Sequence, residues 1–269
     1  MVEFVNGQRE KDPMIGTDKL WQIYKRHFSG EYRVGRDVFR SILHENGLSL
    51  NPRRRRPRTT NSRHGMPTYP NLVKNVIPTR PNQIWVGDIT YIEIQDPKES
   101  AGYGFTYLSL LQDAYSKMIL GWCLAPTLEA KYTEQALQMA AETLPETFSD
   151  TLIHHSDRGT QYASANYIDR LTRLRIVPSM TENGNPKDNA MAERINSTIK
   201  NELLHGRAFQ SIDEARLAIK QAITYYNNER PHLSIDFHTP AEAHQMTGEI
   251  SKRWHSWREA AIKKTSLST

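Results

Sequence analysis

The sequence has a single cysteine, Cys123, and no apolar run of membrane-spanning length. One thiol excludes an intramolecular disulfide framework and any zinc site that needs two cysteines. The first residues also lack the apolar region of a signal peptide. These absences predict a cytoplasmic protein without a membrane partner.

Acidic residues are absent from the stretch that runs from Asn46 to Gly87. The net charge of the whole chain is only +5, yet this stretch holds Arg53, Arg54, Arg55, Arg56, Arg58, Arg63, Lys74 and Arg80. A block of one charge sign favours a polyanionic partner, most simply nucleic acid. We therefore predict that the five arginines 53–56 and 58 contact DNA phosphates.

The 269 residues divide by pattern into five parts. We predict an N-terminal tail (1–16), a helical segment (17–48), a basic proline-rich linker (49–82), an α/β core (83–245) and a basic helical C-terminal tail (246–269). The helical segment is either a plain hairpin or a helix-turn-helix-like DNA reader, and the arginine run after it favours DNA contact. The linker is either a solvated tether or a segment that follows phosphates.

The predicted core alternates strands and helices. Three strand-like runs, the second and third joined as a hairpin, are followed by helix, strand, helix, strand and a further helix. An antiparallel meander that leads into parallel α/β units predicts a mixed five-stranded sheet with helices on both faces.

The last helix of that core begins in the stretch "ENGNPKDNAMAERINSTIKNELL". Its first part holds turn formers, and its second part carries an apolar stripe, Met191, Ile195, Ile199 and Leu203. Glu193 and Lys200 lie opposite that stripe, about 20° apart around an ideal α-helix.

Three acidic residues of the core lie at positions where a carboxylate is expected to need a partner or to reach a site. Asp88 is central in an apolar strand, Asp157 ends a strand, and Glu193 begins a helix. Each alone has an ordinary explanation: a hydrogen-bonded aspartate, a turn residue and a helix-dipole partner. Together they match the hard oxygen ligands of Mg²⁺ or Mn²⁺. Two such ions can clamp the attacking and leaving oxygens of a phosphoryl displacement, so we predict a two-ion site.

Four motifs in order resemble one protein family. They are "RPNQIWVGDITYI", "HHSDRGTQYAS", "NGNPKDNAMAERINSTIKNELL" and "YNNERPHLSIDFHTPAEA", and 35 residues separate Asp157 from Glu193. This pattern resembles the DDE transposases and retroviral integrases, and most closely the OrfB product of two-frame bacterial insertion sequences. The resemblance implies an RNase H-like core that cleaves the element's ends and joins the freed 3′-hydroxyl to target DNA.

The resemblance also implies roles for individual residues and partners. Asp88, Asp157 and Glu193 match the three metal-binding acids, and Lys200 matches a basic residue that contacts DNA near the cut. We also assign Asn189 to DNA contact. His154 and His155 are either metal ligands or, as is more common for strand histidines beside a carboxylate, packing groups or groups that support the ligands. The expected partners are double-stranded DNA, at least one further copy of the chain on DNA, and an upstream OrfA part joined by frameshifting.

Two other functions fit part of the same pattern. One is a catalytically idle DNA-binding regulator of transposition, and the other is an RNase H-like structure-selective nuclease. Intact acids at all three positions favour an enzyme over a regulator. The 35-residue spacing and the "YNNERPHLS" segment favour joining over cutting alone.

Overall fold

The computed structural model describes residues 1–28, 34–50, 65–95, 103–182 and 189–266. The predicted phosphate-contacting arginines 53–56 and 58 and the loop 183–188 lie outside the described residues. Within the described ranges, no helix combines the length and the apolar character that a membrane span requires.

The N-terminal helices come first. Their bounds are α1 Val2–Lys11, α2 Thr17–His27 and α3 Arg36–Glu45. The predicted helices of the segment 17–48 are both present, with Leu20 and Tyr24 buried on α2 and Phe39 and Leu43 buried on α3. These side chains form one small core.

Residues 1–16, which we expected as a tail, contain helix α1 instead. Val5 of α1 and Ile15 after it are completely buried in the same small core as α2 and α3. The helix escapes prediction because "VEFVNGQREK" includes Gly7 and polar residues on every side, with Val5 its one fully buried position. Burial against neighbouring helices, which local pattern does not encode, holds it in place.

The core forms the predicted mixed sheet. Its strands are β1 Ile84–Gln95, β2 Tyr103–Asp113, β3 Ile119–Ala125, β4 Leu152–Ser156 and β5 Ile176–Met180. Their order is β3-β2-β1-β4-β5. The first three strands pair antiparallel, whereas β4 pairs parallel with both β1 and β5. The fold class expected from the sequence is confirmed.

The helices of the core cover both faces of the sheet. They are α4 Ala130–Ala141, α5 Thr160–Ala163, α6 Ala165–Arg173, α7 Ala190–Thr198, α8 Ile212–Asn228 and α9 Pro240–Ala243, and α10 Trp257–Ser266 follows. One face packs against α4, α5 and α6. The other packs against α7, its continuation and α8, with Ile195, Ile199 and Leu203 of the predicted stripe buried there.

Helix α7 changes its winding after Thr198. Residues Ile199–Leu203 form a π-helical turn, closed by a 2.9 Å hydrogen bond from the amide of Leu204 to the carbonyl of Ile199. Single π-turns inside α-helices occur often at functional sites. The angle of about 20° between Glu193 and Lys200 assumes an ideal α-helix. It does not apply here, because Lys200 lies in the π-helical turn that follows Thr198.

The hairpin between β2 and β3 is organised by Asp113. This buried carboxylate accepts hydrogen bonds from the amide of Asn82 (2.8 Å) and from the amide and hydroxyl of Ser116 (2.7 and 2.8 Å). A carboxylate buried with this many donors is satisfied without a metal. Asp113 is thus the last residue of β2 and holds the turn that follows it.

Candidate active site

Strand register brings Asp88 and Asp157 together. Gly87 of β1 lies opposite Ser156 of β4 in the parallel pair, and each aspartate is the next residue along its chain. The pairing of β1 with β4 ends at Gly87, whereas its pairing with β2 continues to Gln95. The two carboxylates therefore lie at the carboxyl end of β4, where open α/β sheets place their sites.

Helix α7 is attached to β1 by two asparagines. Asn196 donates its Nδ2 hydrogen to Asp88 Oδ2 at 2.9 Å, and Asn189 donates its Nδ2 hydrogen to the carbonyl of Gly87 at 3.2 Å. Glu193 lies four residues after Asn189 and three before Asn196, which places all three on one side of the helix. This side faces β1, so the helix brings Glu193 to the strand that carries Asp88.

Asn189, which we assigned to DNA contact, bonds to the protein in this structure. Its side chain is buried, 5% exposed, and its amide is bound to the Gly87 carbonyl. The buried amide holds the start of α7 against β1 and does not present a donor to solvent.

Asn196 is the site residue that sequence reasoning missed. It is a buried polar side chain between Ile195 and Ile199 of the apolar stripe. Buried polar groups require partners, so a polar residue within an apolar stripe is a signal that could have identified it.

Hydrogen bonds to the protein hold both aspartates. Asp157 Oδ1 accepts from the amide of Gly159 at 2.9 Å, and Asp88 Oδ1 accepts from the amide of Ile89 at 2.9 Å. In the described ranges, no three His, Cys, Asp or Glu side chains lie close enough together to hold a metal ion. Clustered carboxylates repel one another without a cation, which favours this hydrogen-bonded arrangement.

The donor set nevertheless suits a hard divalent cation. Asp88, Asp157 and Glu193 supply carboxylate oxygens, the ligands that Mg²⁺ and Mn²⁺ prefer. Two side-chain oxygens beside them, Oδ1 of Asn189 and Oδ1 of Asn196, are buried and have no hydrogen-bond partner among the described residues. The site therefore combines negative charge with unused acceptor capacity.

Tyr162 of α5 lies under the two aspartates. Burial, followed by the nearby Tyr167 and then by Asp88 and Asp157, raises the pKa of its phenol well above the usual value. The hydroxyl is buried without a partner in the described part of the chain, so it stays protonated there. Gly87 leaves room for this layer, because a Cβ at that position would lie 3.0 Å from Nε2 of His154 and 3.4 Å from the Tyr162 ring.

Lys200 lies on the continuation of the helix that carries Glu193. Its Nζ is 3.2 Å from the centroid of the Tyr91 ring on β1. Tyr91 is 49% exposed and packs edge-on against Phe105 of β2, with 5.1 Å between ring centroids. The ammonium is thus held at the surface of the strand that carries Asp88.

His154 and His155 are packing groups, as the sequence predicts. His155 Nδ1 lies 2.9 Å from the Ser179 hydroxyl, and His154 Nε2 lies 3.0 Å from the Tyr167 hydroxyl. Both rings are buried. Burial, with a smaller effect from His155, lowers the pKa of His154 to about 3.

We predict that His154 makes the fold sensitive to acid. Its folded pKa of about 3 lies below the ordinary value of 6.5, so the unfolded chain binds more protons between these limits. Its contribution to stability is fully present above pH 6.5 and is lost as pH falls towards 3. The slope contributed by this one proton reaches at most about 1.4 kcal/mol per pH unit.

Urea unfolding of wild type and His154→Gln between pH 4 and 8 measures this contribution. Glutamine can still bond to the Tyr167 hydroxyl but does not titrate, so the variant should lose less stability between pH 6.5 and 4. The exposed His205 provides the matched control, since His205→Gln should follow the wild-type curve. If wild type and His154→Gln lose the same free energy of unfolding between pH 6.5 and 4, His154 is not the source of the acid sensitivity.

Comparison with known proteins agrees with this geometry. Residues 78–186 and 174–240 match two family descriptions, each of an integrase core domain. A cryoEM structure of the simian T-cell lymphotropic virus intasome in complex with PP2A regulatory subunit B56 gamma has the same fold. It gives a TM-score of 0.53 at 20% identity, over 90% of this chain and 76% of that one.

Two relatives from Shigella sonnei cover most of the chain. One is the transposase for insertion sequence element IS629, 30% identical over 87% of this chain and 75% of its own. The other is an insertion element IS600 31 kDa protein, 35% identical over 79% of this chain and 77% of its own.

These matches identify a polynucleotidyl transferase with an integrase core, and the order of the sheet agrees with it. More narrowly, the chain belongs to the OrfB-like transposases of IS3-family bacterial insertion sequences.

Proposed function

We propose that this transposase cleaves DNA at the ends of its element and joins the freed 3′-hydroxyl to target DNA at a site formed by Asp88, Asp157 and Glu193. The observation that carries the proposal is the parallel register of β1 and β4, which places Asp88 beside Asp157, together with the Asn196–Asp88 hydrogen bond that attaches the helix of Glu193. This register and this bond support a shared site for residues that are far apart in the sequence.

The three carboxylates would hold two Mg²⁺ or Mn²⁺ ions. Bound divalent ions supply charge neutralisation at the phosphate and activation of the attacking oxygen. The protein's own part is positioning: β1 and β4 fix two of the carboxylates, and α7 brings the third from the opposite side. Asn196 orients the Asp88 carboxylate through Oδ2, and the amide of Ile89 bonds to Oδ1.

The two reactions need no external energy source. In the first, a water oxygen bonds to the phosphorus at the element's end, and the 3′-oxygen leaves and takes a proton. In the second, this 3′-hydroxyl attacks a phosphodiester of target DNA, and the target's own 3′-oxygen leaves. One P–O bond breaks and one forms at phosphorus in each step, so the same carboxylate site serves both: hydrolysis replaces an ester bond by a bond to the water oxygen, and strand transfer replaces one ester bond by another.

DNA contacts are proposed for two regions. Lys200 extends from the helix of Glu193 and would exchange the Tyr91 ring for a phosphate oxygen near the cut. The arginine run 53–58, outside the described residues, would contact phosphates independently of sequence. Because two ends must be processed and joined, we propose that the active form on nucleoid DNA in the cytoplasm contains at least two copies, with an OrfA part as a further partner.

The purified chain, alone and fused to the reading frame upstream, should nick DNA that carries the inverted repeats flanking its gene. With Mg²⁺ or Mn²⁺, gel analysis of labelled substrate should show a free 3′-hydroxyl at the element's end and, later, strands joined to target DNA. EDTA should stop both reactions. Cutting without any joined product would indicate a nuclease, and binding without cutting would indicate a regulator.

A further inference from the structure

Ion pairs and hydrogen bonds join the N-terminal helices to residues 229–242 of the catalytic core. Arg26 of α2 donates from Nη2 to the carbonyl of Phe237 at 2.9 Å and pairs with Glu242. Lys11 of α1 pairs with Glu229 at 2.6 Å, and both of these side chains are about half exposed. The contact is polar and ionic, and most of it lies at the surface.

One ion pair of this contact is buried. Arg230 donates from Nε to Oδ2 of Asp12 at 2.7 Å, and the two side chains are 1% and 0% exposed. Asp12 is the residue that ends α1, and 218 positions separate it from Arg230. A buried charge is costly unless it is paired and hydrogen-bonded, so each partner fixes where the other must lie.

The guanidinium of Arg230 also contacts the catalytic helix, which is α7 together with its π-helical continuation. Arg230 donates from Nη2 to Oε2 of Glu202, which lies in the π-helical turn. The other oxygen of Glu202 pairs with Nη2 of Arg194 at 3.1 Å, and Arg194 is the residue after Glu193. A continuous chain of ion pairs thus runs from the N-terminal helices to the helix that carries Glu193 and Lys200.

The chemistry of these linked ion pairs indicates that they fix the position of the catalytic helix, and it gives little evidence that they stabilise the fold. Replacing buried ion pairs by apolar groups often costs no stability, so their presence is weak evidence of a stabilising role. A guanidinium is planar, with donors in a fixed fork, so Arg230 sets the direction of Glu202 relative to Asp12. The turn it holds departs from α-helical winding, and its position decides where Lys200 points.

We propose that Asp12 is a positioning residue for the catalytic helix, acting through Arg230 and Glu202 on the π-turn Ile199–Leu203. The N-terminal helices are then part of the catalytic unit and are not an independent DNA reader on a tether. The effect on reaction rate rests on the proposed function, whereas the effect on the helix itself does not.

The rate test uses Asp12→Asn in the full chain, with Glu229→Gln as the matched control from the exposed Lys11–Glu229 pair. At saturating DNA and Mg²⁺, and well below the melting temperature, Asp12→Asn should lower the cleavage rate at least tenfold. Its DNA dissociation constant should stay within twofold, and Glu229→Gln should match wild type. A normal rate at saturation, or a rate loss that follows weaker DNA binding, would overturn the proposal.

A double variant separates positioning from general destabilisation. If Asp12 acts through the turn that orients Lys200, adding Asp12→Asn to Lys200→Ala should cost less than threefold further. Two independent defects would instead multiply to the full tenfold or more. If Asp12→Asn fails to fold, Glu202→Gln provides the same comparison. It breaks the Arg230–Glu202 pair and leaves the Arg230–Asp12 pair intact.

Hydrogen exchange tests the conformational step even if the chain cleaves no DNA. In both Asp12→Asn and Glu202→Gln, amides 199–204 should exchange at least tenfold faster than in wild type, with strand amides 84–95 unchanged. Faster exchange confined to residues 1–28 would show that Asp12 only anchors the N-terminal helices, and would refute the positioning role.

Discussion

Replacing Asp88 or Asp157 with Asn, or Glu193 with Gln, should each lower end cleavage and strand transfer by roughly a thousandfold or more. The amide keeps the shape of the side chain but removes the negative oxygen that would hold a divalent cation opposite the phosphate. For Asp88 the bond from Asn196 would also meet a neutral partner.

Folding should survive these changes, because they remove repulsion between neighbouring carboxylates. DNA binding should persist too, since Lys200 and the arginine run are untouched. Cleavage of end-sequence DNA in Mg²⁺ at matched folded fraction is the measurement, with Asp169→Asn, an exposed carboxylate of α6, as the control. Near-normal cleavage by any one of the three variants removes that residue from the site.

Lys200→Ala should behave differently from the acid variants. It removes a DNA contact without removing a carboxylate, so activity should fall while the Mn²⁺ concentration for half-maximal cleavage stays unchanged. A shift in that metal requirement would show instead that Lys200 affects the carboxylate site directly.

Gly121→Ala should destabilise the fold by about 3 kcal/mol. Gly121 lies in β3 directly under α4, and a Cβ there would overlap the carbonyl oxygen of Ala136 and lie 2.8 Å from the amide nitrogen of Ala140. Both are backbone atoms of a packed helix, so relief requires moving α4 away from the sheet.

Gly7→Ala is the matched control for this substitution. Gly7 lies inside helix α1, where an added Cβ meets no atom within 4 Å. Alanine in a helix interior is favoured over glycine by about 0.5–1 kcal/mol, so Gly7→Ala should be neutral or slightly stabilising. Urea unfolding of both variants measures these effects. If Gly121→Ala unfolds at the same midpoint urea concentration as wild type, the packing argument is wrong.

Predictions from local pattern were confirmed where burial on one side of an element fixes that pattern. The stripe through Ile195, Ile199 and Leu203 is buried, and Leu20 and Tyr24 show the same for α2. The five strands follow one another along the chain as predicted, because apolar runs and turn residues mark them.

Other features of the site escaped such reasoning. Asn196 was missed, and the bond from Asn189 to the Gly87 carbonyl was not predicted. Helix α1 was taken for a tail. In each case the partner lies elsewhere in the chain: 102 positions separate Asn189 from Gly87, and 108 separate Asn196 from Asp88.

The sequence by itself determined the family of this protein, its α/β core and the spacing of three acids, because period, turn residues and motif order are local properties of the chain. The tertiary structure alone decided that Asp88 and Asp157 lie side by side, that two amides hold α7 on β1, and that Asp12 meets Arg230. These are contacts between distant residues, set by strand register and by the pairing of buried charges. Neither leaves a periodic signal in the sequence, because each depends on how the packed elements meet.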